Sequence, residues 1–145
     1  MEHGDTIVAI DGDIAYHFAR GSMFPKISVG STPINDEPGE IVVADSEGVE
    51  LHVSLGDPTL LAQDALSATI AIVGRVQLES DRFLNLSLFF EVLAAGSMVV
   101  TCEVHNPHRA QHPDGIWDLG DAGSLLIKSL PVSYTHLTLP TICSV

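Results

Sequence analysis

The stretch "RFLNLSLFFEVLAAGSMVVTCEV", residues 82–104, decides the fold. Leu84, Leu86, Leu88, Phe90 and Val92 fall on one face of an extended chain, with Asn85, Ser87 and Glu91 on the other. Met98, Val100, Cys102 and Val104 repeat the pattern against Ser97, Thr101 and Glu103. Period-two alternation of this kind marks a half-buried antiparallel strand. "LAAGS" between the two runs can reverse the chain in about three residues, with Gly96 supplying a left-handed position. The turn then sets Val92 opposite Met98, Phe90 opposite Val100, Leu88 opposite Cys102 and Leu86 opposite Val104. Apolar meets apolar in every pair, which fixes the register. Burying these nine side chains at about 1.5–3 kcal/mol each supplies most of one sheet's driving force.

Working outward, the chain reads as β nearly throughout. "ALSATIAIVGRVQL" (65–78) is a third strand, with Gly74 expected to mark a bulge or bend. "TIVAI" and "IAYHFA" flank Asp11-Gly12-Asp13, a hairpin signal. Pro25 in "MFPKISV" argues for an edge or irregular strand. "STPINDEPG" (31–39) has loop composition, and "EIVVA" and "VELHVS" surround "DSEG" as a second hairpin. "GDPTLLAQDA" (56–65) is the one stretch suited to a helical turn. The expected class is an all-β, antiparallel β-sandwich or barrel-like unit, divided into an N-terminal β segment (1–65) and a sandwich portion (66–130). No repeat of about 20–50 residues recurs.

The chain has 145 residues, and six Lys and Arg against nineteen Asp and Glu give a formal net charge of −13. That surface repels phosphate backbones, so nucleic acid is not an expected partner. No apolar run reaches the length of a membrane span, and "MEHGDTIVAIDGD" has neither the basic start nor the apolar core of a signal peptide. Two cysteines, Cys102 and Cys143, are too few for a disulfide framework and lack metal spacing. No phosphate-binding glycine motif or nucleophile elbow occurs.

After Val104 the grammar changes. "HNPHRAQHPDGIWDLGDAGS" (105–124) gathers three histidines, three aspartates, an arginine and the only tryptophan, stiffened by prolines and bent by glycines. Segments of this type carried on a rigid sheet are where binding residues concentrate. His105, His108 and His112 are metal-ligand types, though their spacing matches no standard zinc pattern. Asp114, Asp118 and Asp121 offer hard oxygens without the order of a calcium loop. Arg109 could clamp a carboxylate bidentately, and Trp117 could stack on a sugar face. The alternative is structural: Trp117 plugs the end of the core while Asp118 and Asp121 cap turns.

The same run resembles the "N-x-x-x-A-x-H-P-G-G-x-W-D-L-G-D-x-G-S" segment of the exo-rhamnogalacturonan lyase family of bacterial proteins. The matching positions are Asn106, Ala110, His112, Pro113, Gly115, Trp117, Asp118, Leu119, Gly120, Asp121, Gly123 and Ser124. Asp114 stands where that pattern has a second glycine, a change expected to tighten or reorient the turn. The resemblance spans about residues 66–130 and implies a multidomain polysaccharide lyase, with a barrel-like β domain, a β-sandwich and an α/α toroid. It implies β-elimination on rhamnogalacturonan-type pectin. By residue type alone, Arg109, His112 and Trp117 are the expected substrate contacts, and Asp114, Asp118 and Asp121 the expected turn or site residues. The catalytic residues stay unassigned. No cofactor is expected for the chain, calcium in the parent protein being the alternative. The expected partners are an acidic polysaccharide or other domains of the same parent, with no nucleic acid and no membrane. A non-catalytic carbohydrate-binding or architectural module is the competing expectation.

Residues 131–145, "PVSYTHLTLPTICSV", carry no charged side chain. Read back into codons, positions 131–141 become nCT GTC TCT TAT ACA CAT CTG ACG CTG CCG ACG. That string resembles the transposon-end adapter of sequencing libraries. A variable index would then encode Ile142–Ser144, and GTG would encode Val145 before a TAG stop. The expectation is a non-native tail at 131–145 and a natural reading frame that continues past Leu130. An all-β piece incomplete at its C-terminus would lack part of its catalytic cleft and would be inactive by itself. Its open edges would favour aggregation.

Overall fold

The alternating stretch forms a strand pair in the expected register. In the computed structural model, which describes residues 6–35, 37–79, 81–108, 124–133 and 142–144, the strands run as follows. They are β1 (Thr6–Asp11), β2 (Ile14–Ala19), β3 (Lys26–Val29), β4 (Thr32–Pro33), β5 (Glu40–Ile41), β6 (Ala44–Asp45) and β7 (His52–Leu55). β8 (Thr59–Gln63), β9 (Ser67–Gln77), β10 (Phe83–Leu93), β11 (Ser97–His105), β12 (Ile127–Ser129), β13 (Val132–Ser133) and β14 (Ile142–Ser144) complete the order. The architecture is all-β, built of antiparallel sheets that do not close into a barrel. No described helix is long and apolar enough to cross a membrane.

β10 and β11 pair Leu86 with Val104, Leu88 with Cys102, Phe90 with Val100 and Val92 with Met98. Gly96, at φ 74°, closes the hairpin, as its lack of a Cβ allows. β9 flanks β10 on the other side, setting Val76, Ile72, Ile70 and Ala68 opposite Leu84, Leu88, Phe90 and Val92. All five inward side chains of β10 are buried, with Leu88 and Phe90 at zero exposure. β7 and β8 share the far edge of β9, and β14 lies beside β11.

A half-apolar sheet needs a second layer, and β1 to β4 supply it in sequential order. The hairpin at Gly12-Asp13 pairs Asp11 with Ile14 as its composition predicts. Tyr16, Phe18 and Ile27 point into the core. The Phe18 and Phe24 rings meet Phe90 edge-on at centroid distances of 5.1 and 5.7 Å, the geometry that suits ring quadrupoles. Burial pushes the Tyr16 phenol above its ordinary range, and nearby Asp11 adds to the effect. The tips of the two hairpins also meet, because the Gly96 amide donates to Asp11 Oδ2. The core therefore joins residues on both sides of position 65.

Four expectations change. Residues 56–65 form no helical turn. Thr59–Gln63 is a strand, because the backbone of β9 offers Thr59, Leu60, Ala62 and Gln63 ladder partners. Asp64 then closes a turn by accepting from the Leu66 and Ser67 amides, each at 2.7 Å, an Asx-type cap that competes with helix. Gly74 marks no bulge against β10, where pairing runs unbroken from Ser67 to Gln77. It is a close approach: a Cβ there would overlap the Ser54 carbonyl of β7. The irregularity sits in β8, between Leu60 and Ala62. Within 31–39, Thr32 and Pro33 extend the first sheet, and the buried Asn35 accepts from the Ile27 amide at 2.6 Å.

The "DSEG" turn forms, with Asp45 Oδ1 accepting from Glu47 and Val49 amides. Its arms part after a single bridge, Ala44 to Glu50, so the second hairpin is only a stub. β6 goes on to pair with β12 and β5 with β13. β14 runs parallel to β11. Residues 134–141 lie outside the described residues. An open sheet edge accepts any extended segment, so these last pairings are independent of where their codons came from.

Candidate functional site

Of the residues singled out by sequence, Arg109, His112, Asp114, Trp117, Asp118 and Asp121 lie outside the described residues. Their mounting is described. Asn106 Oδ1 accepts from the His108 amide at 3.0 Å, turning the chain just past β11. The His108 ring then settles against the start of β10. Its Nε2 lies 3.0 Å from the Phe83 amide and 3.1 Å from the Phe83 carbonyl. One tautomer accepts from the amide and the other donates to the carbonyl. The two rings meet edge-on at 5.3 Å. On the return side, Arg82 Nη2 donates to the Ser124 carbonyl at 2.7 Å. The residues flanking the 109–123 segment are thus fastened to two adjacent positions, Phe83 at the start of β10 and Arg82 in the connection that precedes it.

That connection is itself tied. The Leu78 and Glu79 amides donate to the Arg82 carbonyl, and Gln77 Nε2 donates to the Glu79 and Arg82 carbonyls. A cleft of about 400 Å³ opens beside it, with Asp45, Glu47 and Glu79 against Arg82. Three acidic residues lining the cleft with one arginine disfavour an anionic ligand, and Arg82 is already engaged by Ser124.

The imidazoles serve different ends. His108 is occupied by Phe83, whereas His105 is exposed at the end of β11, opposite Asn85. Among the described residues no three His, Cys, Asp or Glu side chains come together in a way that could hold a metal ion.

Sequence reading missed Arg75, Arg82 and Phe83. Arg75 stacks its guanidinium over the Phe83 ring, with Cζ 4.4 Å from the centroid. For Arg75 and Phe83 the available signal was the parity of β9 and β10, since residues alternating with the buried set must share the outer face; Arg82, in the connection, carried none. Comparison with family models, curated proteins and solved structures gave no match to this chain.

Proposed function

We propose that this chain is the β-sandwich module of a polysaccharide-lyase-like protein and that it presents the 109–123 segment to an acidic pectic polysaccharide. The observation that carries this reading is the double fastening of that segment, at His108 to Phe83 and at Ser124 to Arg82. Fixing both ends before a ligand arrives lowers the ordering cost of binding. The segment's residue types supply the rest: Arg109 for a uronate carboxylate, Trp117 for a sugar face and His112 for a base.

Cleavage in such a protein is a β-elimination. A base takes the proton from the carbon beside the uronate carboxylate, and the freed electron pair forms a carbon–carbon double bond. The glycosidic oxygen then leaves with its bonding electrons and is protonated. Neutralising the carboxylate lowers the cost of the carbanion, and imidazole is a base of suitable strength near neutrality. Arg109 and His112 fit these requirements by type, and the catalytic roles themselves are not assigned.

Trp117 is the only tryptophan, so its fluorescence reports on this segment alone. Titration with rhamnogalacturonan oligosaccharides is expected to shift or quench its emission saturably, and R109A to weaken the response. An unchanged emission, with no heat of binding by calorimetry, would falsify the reading. The double fastening also suits an architectural role, in which the segment locks this sandwich to another domain. In that case Trp117 emits at short wavelength and resists quenching by acrylamide, with or without saccharide.

A further inference from the structure

The outer face of the large sheet carries a row of polar side chains on three neighbouring strands. Register places Arg75 beside Asn85 on β9 and β10, and Asn85 beside His105 on β10 and β11. Adjacent strands lie about 4.8 Å apart, so Arg75 and His105 sit roughly 10 Å apart at the backbone with the Asn85 amide between them. Arg75 and His105 are exposed, and Asn85 is half-buried. The opposite face of the same three strands is the core, so the row stands on a densely packed part of the sheet.

We propose that Arg75, Asn85 and His105 form a carboxylate-binding subsite for a uronate-bearing oligosaccharide chain lying across the sheet. The proposal rests on the reading of the chain as a module for acidic polysaccharide. The Arg75 guanidinium is stacked on Phe83, which immobilises its plane and leaves its N–H edge for a forked contact. No described carboxylate is ion-paired with it; the one ion pair found among the described residues joins Arg20 to Asp57. In a chain of net charge −13, an exposed and unneutralised guanidinium on this face is a local reversal of sign. Asn85 and His105 add a donor and an acceptor each for flanking hydroxyls. Glu103 lies further along β11 on the same face and bounds the subsite by repelling a second carboxylate. Phe83, under Arg75, is also the residue that holds His108, so the row adjoins the fastened end of the 109–123 segment.

The test pairs a rhamnogalacturonan oligosaccharide with its methyl-esterified form, equal in length but without carboxylate charge. Calorimetry on the intact chain is expected to show tighter binding of the free acid. R75Q is expected to weaken binding of the free acid about tenfold or more while leaving the ester unchanged, erasing the discrimination. R75K keeps the charge but not the fork and should fall between. If R75Q does not fold, amide shifts of the wild-type chain decide: movement at Asn85 and His105 on adding free acid, but not ester, supports the subsite. Wild-type discrimination retained in R75Q, or Asn85 and His105 amides that stay still, overturns the subsite. A loss of binding in R109A alongside that result leaves the broader reading standing. Failure of the wild-type chain to bind either saccharide overturns both.

Discussion

β10 and β8 belong to the same sheet, yet they become strands for different reasons. Every second residue of β10 is driven out of water, and Leu84 to Val92 form an unbroken buried stripe. All five residues of β8 stay exposed, including Leu60 and Leu61. β8 is held by the ladder that β9 offers and by the Asp64 turn that returns it to that ladder. Burial writes a period into sequence, whereas edge pairing borrows the period of its neighbour. The first kind of strand can be recognised alone, and the second only once its partner is placed.

The contrast can be broken most severely at Phe90, the buried ring that Phe18 and Phe24 both contact. Phe90→Ala is expected to cost about 3–5 kcal/mol in urea unfolding. A loss below about 1 kcal/mol would mean the two layers do not share a core. Next comes Gly74, where β7 approaches β9. Gly74→Ala should cost about 1–3 kcal/mol through the overlap with Ser54, and amide exchange should quicken in β7 before β10. Uniform quickening across both strands would argue against a local approach.

A gentler probe is acid. Hydrogen bonds from the Leu66 and Ser67 amides hold the Asp64 carboxyl below its usual range. A carboxylate with a lowered folded-state value stabilises above its unfolded value and loses that contribution as pH falls through the folded one. The β8–β9 turn should therefore loosen only below the ordinary carboxylate range, seen as a fall in the protection factors of the Leu66 and Ser67 amides, each referred to the intrinsic rate at that pH. In Asp64→Ala the protection at those two amides should be low already and should not change through the same pH range. The smallest effect belongs to β8 itself: Leu61→Ser should stay within about 0.5 kcal/mol of wild type. A larger loss would show that β8 relies on burial after all.

The same distinction explains what could be read beforehand. The β10–β11 register followed from Leu86, Leu88, Phe90 and Val92 meeting their partners, and the first hairpin from Asp11-Gly12-Asp13. Residues 56–65 misled because Leu60, Leu61 and Ala62 are adjacent and show no alternation, so strand and helix were equally consistent with them. The row on the outer face was hidden by one glycine. A bulge at Gly74 would have slipped Arg75 out of line with Asn85, and only an unbroken ladder sets them side by side. The 105–124 segment stood out by composition, but composition cannot say what holds it. Arg82 and Phe83, which do so, precede it by more than twenty positions and carry no motif.

The fastening of residues 108 and 124 to two adjacent positions, Phe83 and Arg82, has a further consequence. The gap between the two attachment points is dictated by the sheet, so whatever spans them need not contribute to its own closure. Lengthening such a span carries only a slow, logarithmic entropic cost. The two attachment points form a fixed socket, whose separation belongs to the strands beneath and not to the length of chain between them.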